Sequence, residues 1–148
     1  MLRWIAALAI GASLAGGAAL AQPAGGDLVV QVQGLRNSSG QVACSLYASA
    51  AGFPGDPKKA VRRVAAPVAG AAGTCRFAGL AAGAYAVSVL HDENGNGKMD
   101  KNFMGLPSEG FGASNDPEAK FGPPKYADAQ FNHPAVAQTL VVHVRYLP

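Results

Sequence analysis

The chain has 148 residues, 49% of them hydrophobic and 14% charged, with a formal net charge of +3 and two cysteines. That length allows one domain and little room for a second. Gly and Pro make up about a fifth of the residues against roughly 12% in average usage, which argues against a helix bundle and for short strands joined by turns.

Arg3 is followed by an uncharged run over 4–21 that closes on Ala19-Leu20-Ala21, the charged start, apolar middle and small-residue end of a secretory leader. The rival reading is a membrane anchor, but the run is mostly Ala and Gly and has no basic flank. The sequence therefore predicts a signal peptide over 1–21 and one exported domain over 22–148, periplasmic or secreted, with no stable membrane insertion after cleavage. The exported part carries about +2, too close to neutral to suggest a nucleic-acid partner.

Over 27–35, Leu28, Val30 and Val32 alternate with Val29, Gln31 and Gln33, the period-2 signature of a strand with one buried side. Asn37-Ser38-Ser39-Gly40 is a turn, and 41–47 repeats the alternation with Val42, Cys44 and Leu46 facing together. A loop follows over 50–59, then a weak edge strand over 61–68 containing Pro67, which cannot donate to a ladder. The stretch 74–78 places Cys75 and Phe77 on one face. Cys44 and Cys75 thus both face inward, and in an oxidising compartment they are expected to form a disulfide. The alternative is two small buried thiols.

Leu80 and Gly83 precede Tyr85 at the start of a strand carrying Tyr85, Val87 and Val89, the arrangement of a tyrosine corner. The last strand, 139–146, turns Leu140, Val142, Val144 and Tyr146 inward and Val141, His143 and Arg145 outward. Five or six strands without an amphipathic helix predict an all-β antiparallel sandwich, immunoglobulin-like or prealbumin-like, with one long acidic loop over 91–138. Connections this long usually carry function. The part 91–133 holds seven of the nine acidic residues and four of the six Phe, and its aromatics suit either a mini-core or a sugar or small apolar ligand.

At the head of that loop stands Asp92-Glu93-Asn94-Gly95-Asn96-Gly97-Lys98-Met99-Asp100. Oxygen side chains at offsets 1, 3, 5 and 9 with Gly at 6 match the first nine positions of a calcium loop of the EF-hand kind, because a hard cation needs six to eight oxygens and a bend that Gly permits. The expected metal ligands are Asp92, Asn94, Asn96 and Asp100 through their side chains and Lys98 through its carbonyl. Position 12 is Phe103 rather than a bidentate Glu, so Glu109, Asp116 and Asp128 are candidate extra ligands, and calcium affinity is expected near 10⁻⁴ to 10⁻³ M. The alternative is a turn held by Asn and Asp side chains bonding their own backbone.

That run, from His91 to Asp100, followed by Gly105-Leu106-Pro107-Ser108-Glu109-Gly110-Phe111-Gly112 and Ser114-Asn115, resembles the bacterial domain-of-unknown-function family numbered 2141. The stretches 80–85 and 121–131 fit it as well, and the resemblance covers roughly 27–147. It implies an exported, sandwich-like protein and brings no assigned activity.

His91 beside Asp92 and Glu93, with His133 or His143 as a partner, could be drawn as an acid-base cluster. The chain has no Gly-x-Ser-x-Gly, no HExxH and no spare cysteine to supply a nucleophile or an open metal site, so no catalytic residue is assigned. Lys58, Lys59, Arg62 and Arg63 form a basic patch, read as a solvated loop face or an anionic docking point. The expected function is a calcium-binding accessory or interaction module whose partner is an envelope protein, a glycan or a small ligand. A small periplasmic hydrolase or lyase using the acidic loop is the alternative.

Overall fold

The computed structural model describes residues 25–118 and 120–148; the expected leader over 1–21 lies outside the described residues. The protein is nearly all-β. Its strands are β1 (Gly26–Gln33), β2 (Gln41–Tyr47), β3 (Arg62–Ala69), β4 (Ala72–Leu80), β5 (Gly83–Asp92), β6 (Gly110–Ala113), β7 (Phe131–His133) and β8 (Gln138–His143), with a one-turn helix α1 (Tyr126–Ala129) before β7. They form one sheet in the order β6-β5-β2-β3-β4-β1-β8, with β7 also on β5. Reciprocal backbone bonds between Phe111 and Arg145, at 2.9 and 2.8 Å, join the two edges, so the sheet is nearly closed into a barrel.

Alternation decides which side chains fill it. Leu28, Val30 and Val32 of β1, Val42, Cys44 and Leu46 of β2, Cys75 and Phe77 of β4, and Val87 and Val89 of β5 are all buried in one cluster with Val142 and Val144. Removing such side chains from water is the main stabilising term for a domain of this size. Cys44 and Cys75 form a disulfide across this core, with Cα atoms 6.4 Å apart.

The Tyr85 hydroxyl donates to the Ala81 carbonyl at 3.0 Å, the back-bond expected of a tyrosine corner. Tyr85→Phe should lower stability by about 1 kcal/mol in urea unfolding with an unchanged slope. A variant as stable as the parent would show that the hydroxyl merely exchanges one partner for water.

Three sequence expectations are corrected. The pairing is not antiparallel throughout: β1 and β8 run parallel, from Leu28 opposite Gln138 to Gln33 opposite His143. The chain crosses over after β7 and so enters β8 in the same direction as β1. Next, β3 is an interior strand, paired with β2 from Gln41 opposite Pro67 to Leu46 opposite Arg62. Pro67 is tolerated there because β3 meets β4 only at Val68 and Ala69, leaving the β4 side of Pro67 unpaired.

Finally, the region 91–138 is not one loop. His91 and Asp92 finish β5, and β6, α1 and β7 lie inside the supposed excursion. β6 and β7 are serial partners on one edge of β5, β6 on residues 88–91 and β7 on residues 83–85. Ser114 fills the gap between them, its amide donating to the Val87 carbonyl at 3.0 Å while its hydroxyl accepts from the Val87 amide at 3.0 Å. Strands of four and three residues are too short to display a period, and β6 carries Gly110 and Gly112. A Cβ on Gly112 would lie 2.8 Å from the His143 carbonyl oxygen and 2.9 Å from the Val142 side chain, so these glycines are what lets β6 close against the end of β8.

The aromatics of this region divide. Tyr126 joins Phe53 and Tyr47 in an edge-to-face ladder, with ring centroids 5.8 and 5.3 Å apart, over Ala86, Ala113 and Ala129. Phe131 packs against the main core. Phe103 and Phe121 are fully exposed, so only part of the set forms a mini-core.

Candidate functional site

The segment 92–109 leaves the end of β5 and returns to β6 as two nested turns. The first is the expected ion loop. Asp92 is fully buried on the outward face of β5, opposite Gln41 of β2, and its carboxylate takes three hydrogen bonds. Oδ1 accepts from the Asn96 amide at 3.1 Å, and Oδ2 accepts from the Gly97 amide at 2.8 Å and from Gln41 Nε2 at 3.0 Å. Asn94 Oδ1 accepts from the Asn96 amide and Asn96 Oδ1 from the Lys98 amide, and Gly97 turns the chain at φ +77°. Both carboxamides then reach the Asp100 carboxylate, Asn96 Nδ2 donating at 2.8 Å and Asn94 Nδ2 to the other oxygen. The side chains of Asp92, Asn94, Asn96 and Asp100 therefore meet within one turn, through the backbone bonds that the alternative of an Asn- and Asp-held turn calls for.

Of the three extra candidates, the fold brings one to the loop. Glu109 is 5% exposed and clamps both ends of the turn, Oε1 accepting from the Glu93 amide at 2.9 Å and Oε2 from the Asp100 amide at 3.1 Å. Asp116 lies elsewhere, bound to the ring and amide of His143 on β8. Asp128 is on α1 and lines a different surface hollow with Lys125 and Phe121. Neither is placed to complete a site at 92–100, because both follow β6 in the chain and are seated against other elements.

A second set of residues, without a local motif, holds the base of the loop. Glu93 pairs with Arg36 at 2.6 Å and accepts from Asn37 Nδ2 at 2.9 Å, both from the turn between β1 and β2. Partial burial opposes its charge, yet these bonds outweigh it and hold the Glu93 carboxyl below the usual glutamate range. The Arg36 guanidinium lies 4.5 Å from the Tyr146 ring centroid. His91 is fully buried: Nε2 donates to the Ser39 carbonyl at 2.8 Å, so Nδ1 accepts from the Tyr146 hydroxyl at 2.6 Å. Burial pushes the Tyr146 phenol up from its ordinary value. With both nitrogens committed, His91 is a tie between β5, the β1–β2 turn and the C-terminal segment, and it has no free atom for acid-base work. His133 is also buried, Nδ1 2.9 Å from Gln138 Oε1 and Nε2 3.1 Å from the Gly26 carbonyl oxygen.

A family model described as "Uncharacterized protein conserved in bacteria (DUF2141)" matches residues 30–140. The chain belongs to that family. The matched region of this DUF2141 protein runs from the middle of β1 into β8 and contains the whole 92–109 segment. No curated protein and no solved structure matches the chain.

The ligands the 92–100 sequence would offer an ion are all hard oxygens: two carboxylates, two carboxamides and the Lys98 carbonyl, with the Glu109 carboxylate bonded to the amides at both ends of the turn. That chemistry fits calcium and suits softer metals poorly. Among the described residues no three His, Cys, Asp or Glu side chains stand together as a metal site, so an ion here depends on the Asn oxygens. An ion would draw the two carboxamide oxygens toward itself and replace the Asn donors as the counter-charge to Asp100.

Proposed function

We propose that the protein is an exported accessory or interaction module that binds calcium weakly at 92–100. In this reading Asp92, Asn94, Asn96 and Asp100 are side-chain ligands, Lys98 contributes its carbonyl, and Glu109 fixes the loop ends. The observation that carries it is the closure of four oxygen-bearing side chains around a turn whose two ends are held by one buried carboxylate. The barrel-like sheet is read as a variant of a prealbumin-like or immunoglobulin-like sandwich. Export is supported by the apolar run 4–21 and by the buried disulfide, which belongs to an oxidising compartment. The ion's part is structural, ordering a recognition surface for an envelope component. The hydrolase or lyase reading draws no support from the geometry of His91.

Titrating calcium into the metal-free protein should release or absorb heat with a dissociation constant near 10⁻⁴ to 10⁻³ M. At roughly 10 mM calcium the folded state should gain about 1–3 kcal/mol, read as a thermal shift. The paired substitution Asp92→Ala with Asp100→Ala should remove that increment. Absence of both heat and shift in the parent protein would sink the proposal.

A further inference from the structure

We propose that the second turn of the 92–109 segment is a docking tip for the surface of an anionic phospholipid bilayer. The turn is a tight hairpin. Lys101 bridges Pro107, the Ser108 amide donates to the Asp100 carbonyl at 2.9 Å, and the Asn102 amide donates to the Leu106 carbonyl at 2.8 Å. At its apex stand Phe103 and Met104, 97% and 64% exposed, with Leu106, 44% exposed, beside them. Among the described residues nothing covers these three side chains, and consecutive Phe and Met in water at a turn apex are unfavourable unless another phase receives them.

The backbone of the apex suits an apolar phase. Entering hydrocarbon costs most where amides have no partner. Here the Met104 and Leu106 amides both donate to Asn102 Oδ1, at 2.9 and 3.0 Å, and the Gly105 amide donates to the Asn102 carbonyl at 2.9 Å. With the Asn102 amide itself bonded to Leu106, the apex presents side chains outward while most of its donors are satisfied within the turn.

Charge points to the kind of surface. The segment's acids turn inward or are already engaged: Asp92 and Glu109 are buried, Glu93 pairs with Arg36, and Asp100 holds Asn94 and Asn96. Its lysines turn outward. Lys98 and Lys101 are exposed, and among the described residues neither pairs with a carboxylate. Lys101 on the hairpin itself and Lys98 three residues before it thus offer two unpaired ammonium groups beside the apolar tip, a match to anionic headgroups over hydrocarbon. A protein partner fits less well, since three side chains on a hairpin fall far short of the roughly 800 Å² per partner of a stable interface.

None of the apex bonds involves a side chain assigned to calcium, so this inference goes beyond the calcium reading without resting on it. No helix among the described residues is long and apolar enough to cross a membrane, and the docking proposed here is peripheral.

The test is flotation of the protein, as processed and released by the producing cell, with phosphatidylcholine vesicles containing about a third phosphatidylglycerol or none. It is run in chelator and again in calcium. Binding to the anionic vesicles in chelator is expected. Each apolar side chain of this size that leaves water strengthens partitioning about ten- to a hundredfold, so Phe103→Asp with Met104→Asp should weaken binding at least a hundredfold, with unfolding midpoint unchanged. Lys98→Gln with Lys101→Gln should weaken binding to anionic vesicles about tenfold and flatten its salt dependence. Equal flotation of the parent and the aspartate variant, or no flotation of the parent, overturns the proposal. So does a dimer in sedimentation velocity that the aspartate variant abolishes while vesicles bind neither protein, which would make a second copy the occupant. Calcium heat without vesicle binding, or the reverse, separates this proposal from the calcium reading.

Discussion

Replacing both bridged cysteines, Cys44→Ala with Cys75→Ala, should lower the unfolding free energy by about 3–4 kcal/mol. The two positions are 31 residues apart, and cross-linking them removes loop-closure entropy from the unfolded chain on that scale. Both side chains are fully buried between Val42, Leu46, Phe77 and Val89, so the deleted sulfurs also leave a small void. For a domain whose total stability is of order 5–15 kcal/mol, this is at least about a fifth. Urea unfolding should show the double variant and the reduced parent at lowered midpoints, the double variant lower by the cost of the void, with the oxidised parent above both. A double variant within about 1 kcal/mol of the oxidised parent would show that the barrel closes without the bridge. The same comparison bears on compartment: protein accumulated under reducing conditions should be markedly less stable than protein that has been oxidised.

The bridge could be anticipated because each cysteine lies in a strand long enough to show alternation. The face of β1 that carries Leu28, Val30 and Val32 is buried as its period indicated, and so is that of β5 with Val87 and Val89. Alternation is a local property, visible whenever one face meets the core and the other does not. β6, β7 and the parallel placement of β8 have no such signal. They exist because β5 offers a free edge and because Gly110 and Gly112 permit close approach of the residues at and after the end of β8, both long-range facts.

The ion loop divides along the same line. Its internal bonds join residues two to six positions apart, so spacing alone placed Asp92, Asn94, Asn96 and Asp100 together. The residues that hold it in position come from Arg36, Asn37, Gln41 and Tyr146, the first three more than fifty positions from the carboxylates they bind. Only the register of β2 on β5, which sets Gln41 opposite Asp92, brings them there. Charge counting misled in an instructive way. It found a net-acidic excursion, yet a carboxylate can be consumed by backbone amides, as at Asp92 and Glu109, whereas a lysine on a turn must stay in water. Which charged groups a surface shows to solvent therefore follows from hydrogen bonding as well as from composition.

Gly40→Ala should be the most damaging single substitution around the loop, at about 3 kcal/mol or a fall in melting temperature of roughly 10 °C. Gly40 has φ +66°, where a Cβ costs about 1–2 kcal/mol. The added methyl would also fall inside the van der Waals envelope of the Asp92 carbonyl oxygen and within 2.7 Å of the Glu93 carbonyl carbon, so the β1–β2 turn must back away from β5. That movement pulls the Ser39 carbonyl from His91 Nε2 and leaves a buried donor unpaired, worth a further 1–3 kcal/mol. Gly70→Ala provides the control. Gly70 has φ +64° with nothing within 4 Å of an added Cβ, so it should show the backbone strain alone, about 1 kcal/mol. The difference between the two variants measures the contact of the turn with Asp92. If calcium is held by Asp92, the stabilisation by calcium should shrink in Gly40→Ala and survive in Gly70→Ala, since only the first disturbs the turn that leads into Gln41, a partner of the Asp92 carboxylate. Equal losses in the two variants would show that the loop keeps its position without the β1–β2 turn against it.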